Sequence, residues 1–141
     1  MRTVLGAILA TTLTAASAAA LQPRYRVLFS TTDDSGHESE FRVLEMKLLS
    51  TKKWSPESEV PPLAIRDAIA NARKRINPRR PSDLVVTKIE LSVAPDGEDR
   101  WFYVIEFYDR TQLMKASPPW MQEIVVLMDG SVVDPVPARP H

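Results

Sequence analysis

The chain has 141 residues, with 18 Lys and Arg balanced by 18 Asp and Glu, two His and no Cys. Without cysteine it holds no disulfide and no thiolate metal site. A charge near zero supplies no global field to attract nucleic acid or an anionic membrane surface, which disfavours both as partners.

Residues 1–20 differ from everything that follows. Arg2 is their one charge, Val4 to Leu13 is short and apolar, and Thr14-Ala15-Ala16-Ser17-Ala18-Ala19-Ala20 is a run of small side chains. This layout predicts a secretory signal peptide, with cleavage after Ala18 or Ala20 satisfying the small-residue rule equally well. A membrane anchor needs about 20 consecutive apolar residues, and this stretch is shorter and interrupted by threonines. No Cys follows it to carry a lipid. The expectation is export to a periplasm or the exterior, where a disulfide-free chain fits a bacterial envelope best. It includes no membrane span once the signal is removed. Residues 21–134 are then predicted to form one domain, large enough to build a core without staples.

Tyr25 to Thr31 and Phe41 to Leu49 are rich in strand formers, and the turn formers Thr32 to Glu38 lie between them, so they read as a β-hairpin. In the second stretch Leu44, Met46 and Leu48 alternate with polar residues. Lys52 to Pro62 contains three prolines and is predicted irregular, pinned by Trp54. A helix is expected over 63–76. Ile65, Ala68, Ile69, Ala72 and Ile76 share one arc, Asp67, Asn71 and Lys74 lie opposite, and Asn77-Pro78 ends it.

Two strands follow. In Leu84 to Val93, the residues Val85, Thr87, Ile89, Leu91 and Val93 are expected to share a buried face. After a turn at 94–98, Arg100 to Tyr108 carries Trp101, Tyr103, Ile105 and Phe107 on one side and Phe102, Val104 and Tyr108 on the other. A strand apolar on both faces belongs in the middle of a sheet with something covering each side. Thr111 to Pro119 reads as a loop and Met121 to Met128 as a strand. Asp129-Gly130 is then expected to form a tight type I′ turn into Ser131-Val132-Val133. Residues 135–141 hold three prolines and are predicted to be a disordered tail. The sum is an α+β domain, with one principal helix packed on a twisted antiparallel sheet.

From Pro61 onward the chain resembles the PepSY-like group of exported bacterial domains. The residues that carry this are Pro61-Pro62-Leu63 with Ala68, Ile69 and Ala72, the strand Trp101 to Phe107, and the hairpin Val126 to Val133. Trp54 before the proline segment matches uncharacterised secreted proteins of the same order. The resemblance implies a PepSY- or cystatin-like helix-on-sheet fold. It also implies a non-catalytic role in restraining or docking onto a peptidase or cell-envelope partner. The excursion from Arg110 to Trp120 departs from the pattern.

Candidate chemistry is sparse. His37, with Glu38 and Glu40, lies in a turn-rich loop whose spacing matches no standard metal-ligand pattern, and His141 is terminal. No nucleophile elbow or phosphate-cradling loop is present. Glu90 and Glu106 fall on adjacent expected strands, but a surface pair of Glu90 with Lys88 is the simpler reading. Arg73, Lys74, Arg79 and Arg80, with Arg75 among them, form the densest basic run and the candidate surface for an anionic partner. Cations in the last turn of a helix are favoured by its dipole without any function. The strand aromatics offer either a ligand groove or plain core filling. No catalytic residue and no cofactor is expected. The leading expectation is an exported, non-catalytic binding module with a protein partner in the envelope. A small-ligand carrier with a pocket between helix and sheet is the alternative, and a hydrolase comes last.

Overall fold

A computed structural model describes residues 22–33, 35–57, 60–76, 84–95, 98–110 and 121–138. The expected signal segment, the turn residues Asp96 and Gly97, Arg79, Arg80, the loop expected at 111–119 and His141 lie outside the described residues. The elements in chain order are β1 (Tyr25–Thr32), β2 (Glu38–Leu44), α1 (Glu45–Ser50), α2 (Ile65–Ile76), β3 (Leu84–Val93), β4 (Trp101–Asp109), β5 (Met121–Leu127), β6 (Val132–Val133) and β7 (Pro135–Pro137). They form two antiparallel sheets, one of three strands in the order β1-β2-β7 and one of four in the order β3-β4-β5-β6.

The expectation of one principal helix on a single sheet is therefore wrong. The described residues are mainly strand, divided between two sheets, and both helices are short. The cause lies in β4. It sits between β3 and β5, as its two apolar faces require, and each face has its own cover. Tyr103, Ile105 and Phe107 pack with Ile124 and Val126 against Ala68 and Ala72 of α2. Phe102 and Val104, with Val125, Leu127 and Val133, pack against Leu28, Phe41 and Val43 of the other sheet and Leu48 of α1. The N-terminal hairpin does form, but it lies face to face on the second sheet instead of extending its edge. Burying a side chain such as Phe107 or Ile105 contributes about 1.5–3 kcal/mol, so leaving one face of β4 bare would cost several times that.

Four local expectations are corrected as well. The second N-terminal stretch is not one strand: β2 ends at Leu44 and α1 takes over at Glu45, burying Leu48 and leaving Met46 exposed. Along β3 the inward face changes parity, because a bulge between Val86 and Lys88 shifts the register. Leu84 and Val86 face α2 before the bulge and Leu91 after it, so Val85 leaves the predicted face. The turn after β5 is not type I′. Gly130 has φ of +85° while Asp129 is not in the left-handed region. Gly130 N–H donates to Leu127 O at 2.9 Å and Leu127 N–H to Ser131 O at 2.9 Å, the pattern of a three-residue loop closed by a glycine bulge. Finally, the tail is ordered where it starts. Pro135–Pro137 pairs with Ser39, Glu40 and Phe41 of β2, and Ala138 N–H donates to Glu38 O at 3.0 Å. Proline is tolerated because β7 is an edge strand.

In α2 the predicted stripe is partly right. Ala68 and Ala72 are fully buried, Ile69 and Ile76 are partly buried against the core, and Ile65 is exposed. The alanines bring the helix backbone close to the sheet. The entry to the helix is held by the Tyr103 hydroxyl, which donates to Leu63 O at 2.9 Å. Asn71, expected on the idle face, is half-buried and its Nδ2 donates to Gly130 O at 3.0 Å. Trp54 does anchor the proline segment: its N–H donates to Asp99 O at 3.0 Å and its ring meets Trp101 edge-on, with centroids 5.4 Å apart.

Two outcomes follow. Ala68→Leu or Ala72→Leu overpacks the helix–sheet interface and destabilises by about 1–3 kcal/mol in urea melts, whereas Ala70→Gln, at an exposed position, changes little. Gly130→Ala places a Cβ 2.9 Å from Asn71 Nδ2 and forces φ of +85° on a residue with a side chain. It should cost about 1–2 kcal/mol, and less than additively when combined with Asn71→Ala, because the second change removes the clashing amide.

Candidate functional site

A cleft of about 90 Å³ opens where β1, α1 and the β3–β4 turn converge. Its walls are Arg26, Glu45, Leu48, Leu49, Pro95, Glu98 and Arg100. Arg26 stands opposite Val43 in the hairpin ladder, and its Nε donates to Glu45 Oε1 at 3.1 Å, with Nη2 donating to the same oxygen. That bond and the charge of the guanidinium hold the Glu45 carboxyl below its ordinary value. Glu98 carries φ of +34° and Asp99 φ of +60°, so the turn that ends the cleft places two successive non-glycine residues in the left-handed region. Glu98 is paired with Lys53 at 3.2 Å.

Arg100 is the unusual member. Its Nη1 donates to Thr51 O, the carbonyl that follows α1. Its Nε–H is closed off from solvent and has no acceptor. Among the described residues no carboxylate lies within ion-pair distance of it. Among the described residues of the cleft, Glu45 and Glu98 are each engaged by a cation.

The predicted basic surface is only partly brought together. Arg73 is half-buried and Lys74 exposed, while Arg75 forks onto Asp134 with both bonds at 2.6 Å. Arg79 and Arg80 lie outside the described residues. His37 is exposed in the hairpin loop, with Nδ1 3.4 Å from Asp33 Oδ2. The backbone N–H of His37 is also the chief reason that the Asp33 carboxyl lies below its ordinary value. Asp33 Oδ1 accepts from the N–H groups of Ser35 and His37, so this cluster builds the loop. No three His, Asp or Glu side chains among the described residues gather as metal ligands. Glu106 stands opposite Lys88 and Glu90 opposite Val104, so the two glutamates are not cross-strand partners. Glu90 instead pairs with Lys88 at 2.9 Å and accepts from Ser92 at 3.1 Å. Phe102, Tyr103 and Phe107 are core residues, each at most 2% exposed.

Sequence reasoning missed Arg26, Glu45, Glu98 and Arg100. The one available signal was Arg100 itself, a lone cation between a turn and the most apolar strand in the chain. No helix of the described residues is long and apolar enough to cross a membrane. No protein-family model, no curated protein and no solved structure matches the chain.

The Arg26–Glu45 pair sets an acid-side dependence. A carboxyl depressed on folding contributes stability that is present above its unfolded pKa and lost as pH falls through the folded one. Carbon-detected NMR titration of Glu45 should give a midpoint below that of an unperturbed glutamate, and Arg26→Gln should move it upward. An unchanged midpoint in the variant would show that Arg26 is not the cause.

Proposed function

We propose that this chain is a non-catalytic binding module of the cell envelope that docks onto another protein through the outer face of its three-stranded sheet. The observation that carries this reading is an uncovered apolar row. Tyr25 and Leu44 are directly opposed across β1 and β2, and Val27 lies two residues along the same face. They are 56%, 42% and 40% exposed, on the side away from Phe41 and Val43. Met46, in α1 two residues after Leu44, is 79% exposed. A group of neighbouring exposed apolar side chains marks an interaction site more often than scattered single ones do.

The carrier alternative finds less support. It needs a cavity of a few hundred Å³ between helix and sheet. That space is taken by Ala68 and Ala72 pressed onto Tyr103, Ile105 and Phe107, all at most 1% exposed. The PepSY-like resemblance contributes a partner class, a peptidase or another envelope protein that the domain restrains. Export rests on the composition of residues 1–20.

Leu44→Glu and Val27→Glu place charge on exposed positions and should leave the thermal melt within a few degrees of the parent. Each should abolish capture of the partner that the parent protein retains from an envelope extract, while Lys74→Ala should not. Retained capture by both glutamate variants, or its loss in Lys74→Ala, moves the docking surface to the end of α2.

A further inference from the structure

We infer that β7 is a capping strand, whose two prolines close the outer edge of the three-stranded sheet to pairing with the same edge of a second copy of this chain. This role is independent of the docking face.

The hydrogen bonds fix which way each backbone group of β7 points. Ala138 N–H donates to Glu38 O at 3.0 Å, so these two residues form a bonded pair of the antiparallel ladder. The register continues through Ser39↔Pro137, Glu40↔Val136 and Phe41↔Pro135 without a shift. Bonded and non-bonded pairs alternate along such a ladder. Val136 therefore turns its N–H and C=O toward Glu40, and residues 135 and 137 turn their backbone groups away from β2. Both of those residues are proline. The two positions whose N–H would point off the edge are the two that have none.

That placement decides what the edge can do. Among the described residues β2 is the one lateral neighbour of β7. A strand approaching the free side meets the carbonyls of Pro135 and Pro137 as acceptors and no donor beside them. Each proline ring also puts a methylene where an amide hydrogen would be. Edges are often guarded by a charged side chain, but Pro135 to Ala138 carry no charge, so the rings supply the barrier here. β1 and β3 break their edges with a register shift, whereas β7 stays in regular register and is blocked chemically.

A second copy is the occupant this excludes. Antiparallel pairing of β7 with its equivalent, about a two-fold axis at Val136, sets position 135 of one copy opposite position 137 of the other. Every N–H···O bond in that contact needs a donor at position 135 or 137.

The test uses the mature protein carrying Pro135→Ala and Pro137→Ala together, which restores both donors without adding apolar surface. Sedimentation velocity across a series of concentrations reads self-association. The double variant should associate at concentrations at least about tenfold below the parent. In ¹⁵N-labelled protein, the amides introduced at positions 135 and 137 should exchange with deuterium slowly when associated and fast on dilution. Adding Val136→Lys opposes two like charges across the axis and should abolish the association. Parent-like association in a double variant that keeps the parent's near-UV circular dichroism overturns the proposal. So does association that leaves both new amides in fast exchange, or that survives Val136→Lys. Should the double variant lose its packing, Pro137→Ala alone carries the test, with slow exchange of its new amide on association required and parent-like association overturning.

Discussion

Seven of the nine residues of β4 are apolar and they occupy both of its faces, and the layer order of the molecule follows from the need to cover each. A strand of this kind cannot lie at an edge or on a surface. It pairs with β3 and β5 laterally, and it recruits α2 to one face and the N-terminal hairpin to the other. The two covers differ in kind because the two faces do. Tyr103, Ile105 and Phe107 form a broad surface that suits the small Ala68 and Ala72 side chains, so a helix approaches closely. Phe102 and Val104 meet Phe41, Val43 and Leu28, whose spacing along a strand matches the spacing of the face they cover.

The hairpin after β5 is the point where the layers are fastened together. Gly130 O accepts from Asn71 of α2, Asp129 is paired with Lys47 of α1, and Asp134 holds Arg75 at the end of α2. Partial burial pushes the Asp129 carboxyl up, but Lys47 and Ser131 outweigh it and the net shift is downward. Between β6 and β7 the chain crosses from one sheet to the other, with Asp134 as the single intervening residue. Exposed ion pairs contribute little singly, about 0–1 kcal/mol. Their value here is positional: Lys47–Asp129 joins α1 to the β5–β6 turn, and Arg75–Asp134 joins α2 to the residue that links the two sheets.

Much of this was legible in the residues, and the failures have physical causes. The α2 stripe, the two-sided character of β4 and the N-terminal hairpin follow from periodicity, which records how each element is buried. Periodicity does not record against what. The inward face of β1 and β2 is equally consistent with a helix or a sheet opposite it, and the face-to-face placement was lost for that reason. Six residues of α1 span fewer than two turns, too short for a 3.6-residue period to be told from alternation in Leu44, Met46 and Leu48. The bulge at Val86 to Lys88 leaves no mark in composition. The Pro135–Pro137 strand was hidden by a sound rule applied without its exception, since proline is excluded from central strands and accepted at edges. The cleft was illegible because its members are spread from Arg26 to Arg100, and what distinguishes Arg100 is a missing partner.

The two long edge strands bear on how such a module meets a partner. Among the described residues β1 and β3 each have one lateral neighbour, and each carries a register shift, between Val27 and Phe29 and between Val86 and Lys88. A bulge interrupts the row of free N–H and C=O groups that an added strand would need, and Lys88 places a charge beside the second one. Both edges are therefore poor templates for strand addition. A partner that docks on this protein gains more from side chains on a sheet face than from backbone bonds along an edge. Tyr25, Val27 and Leu44 offer that face, and Leu49 stands both among the exposed apolar residues and in the wall of the Arg100 cleft.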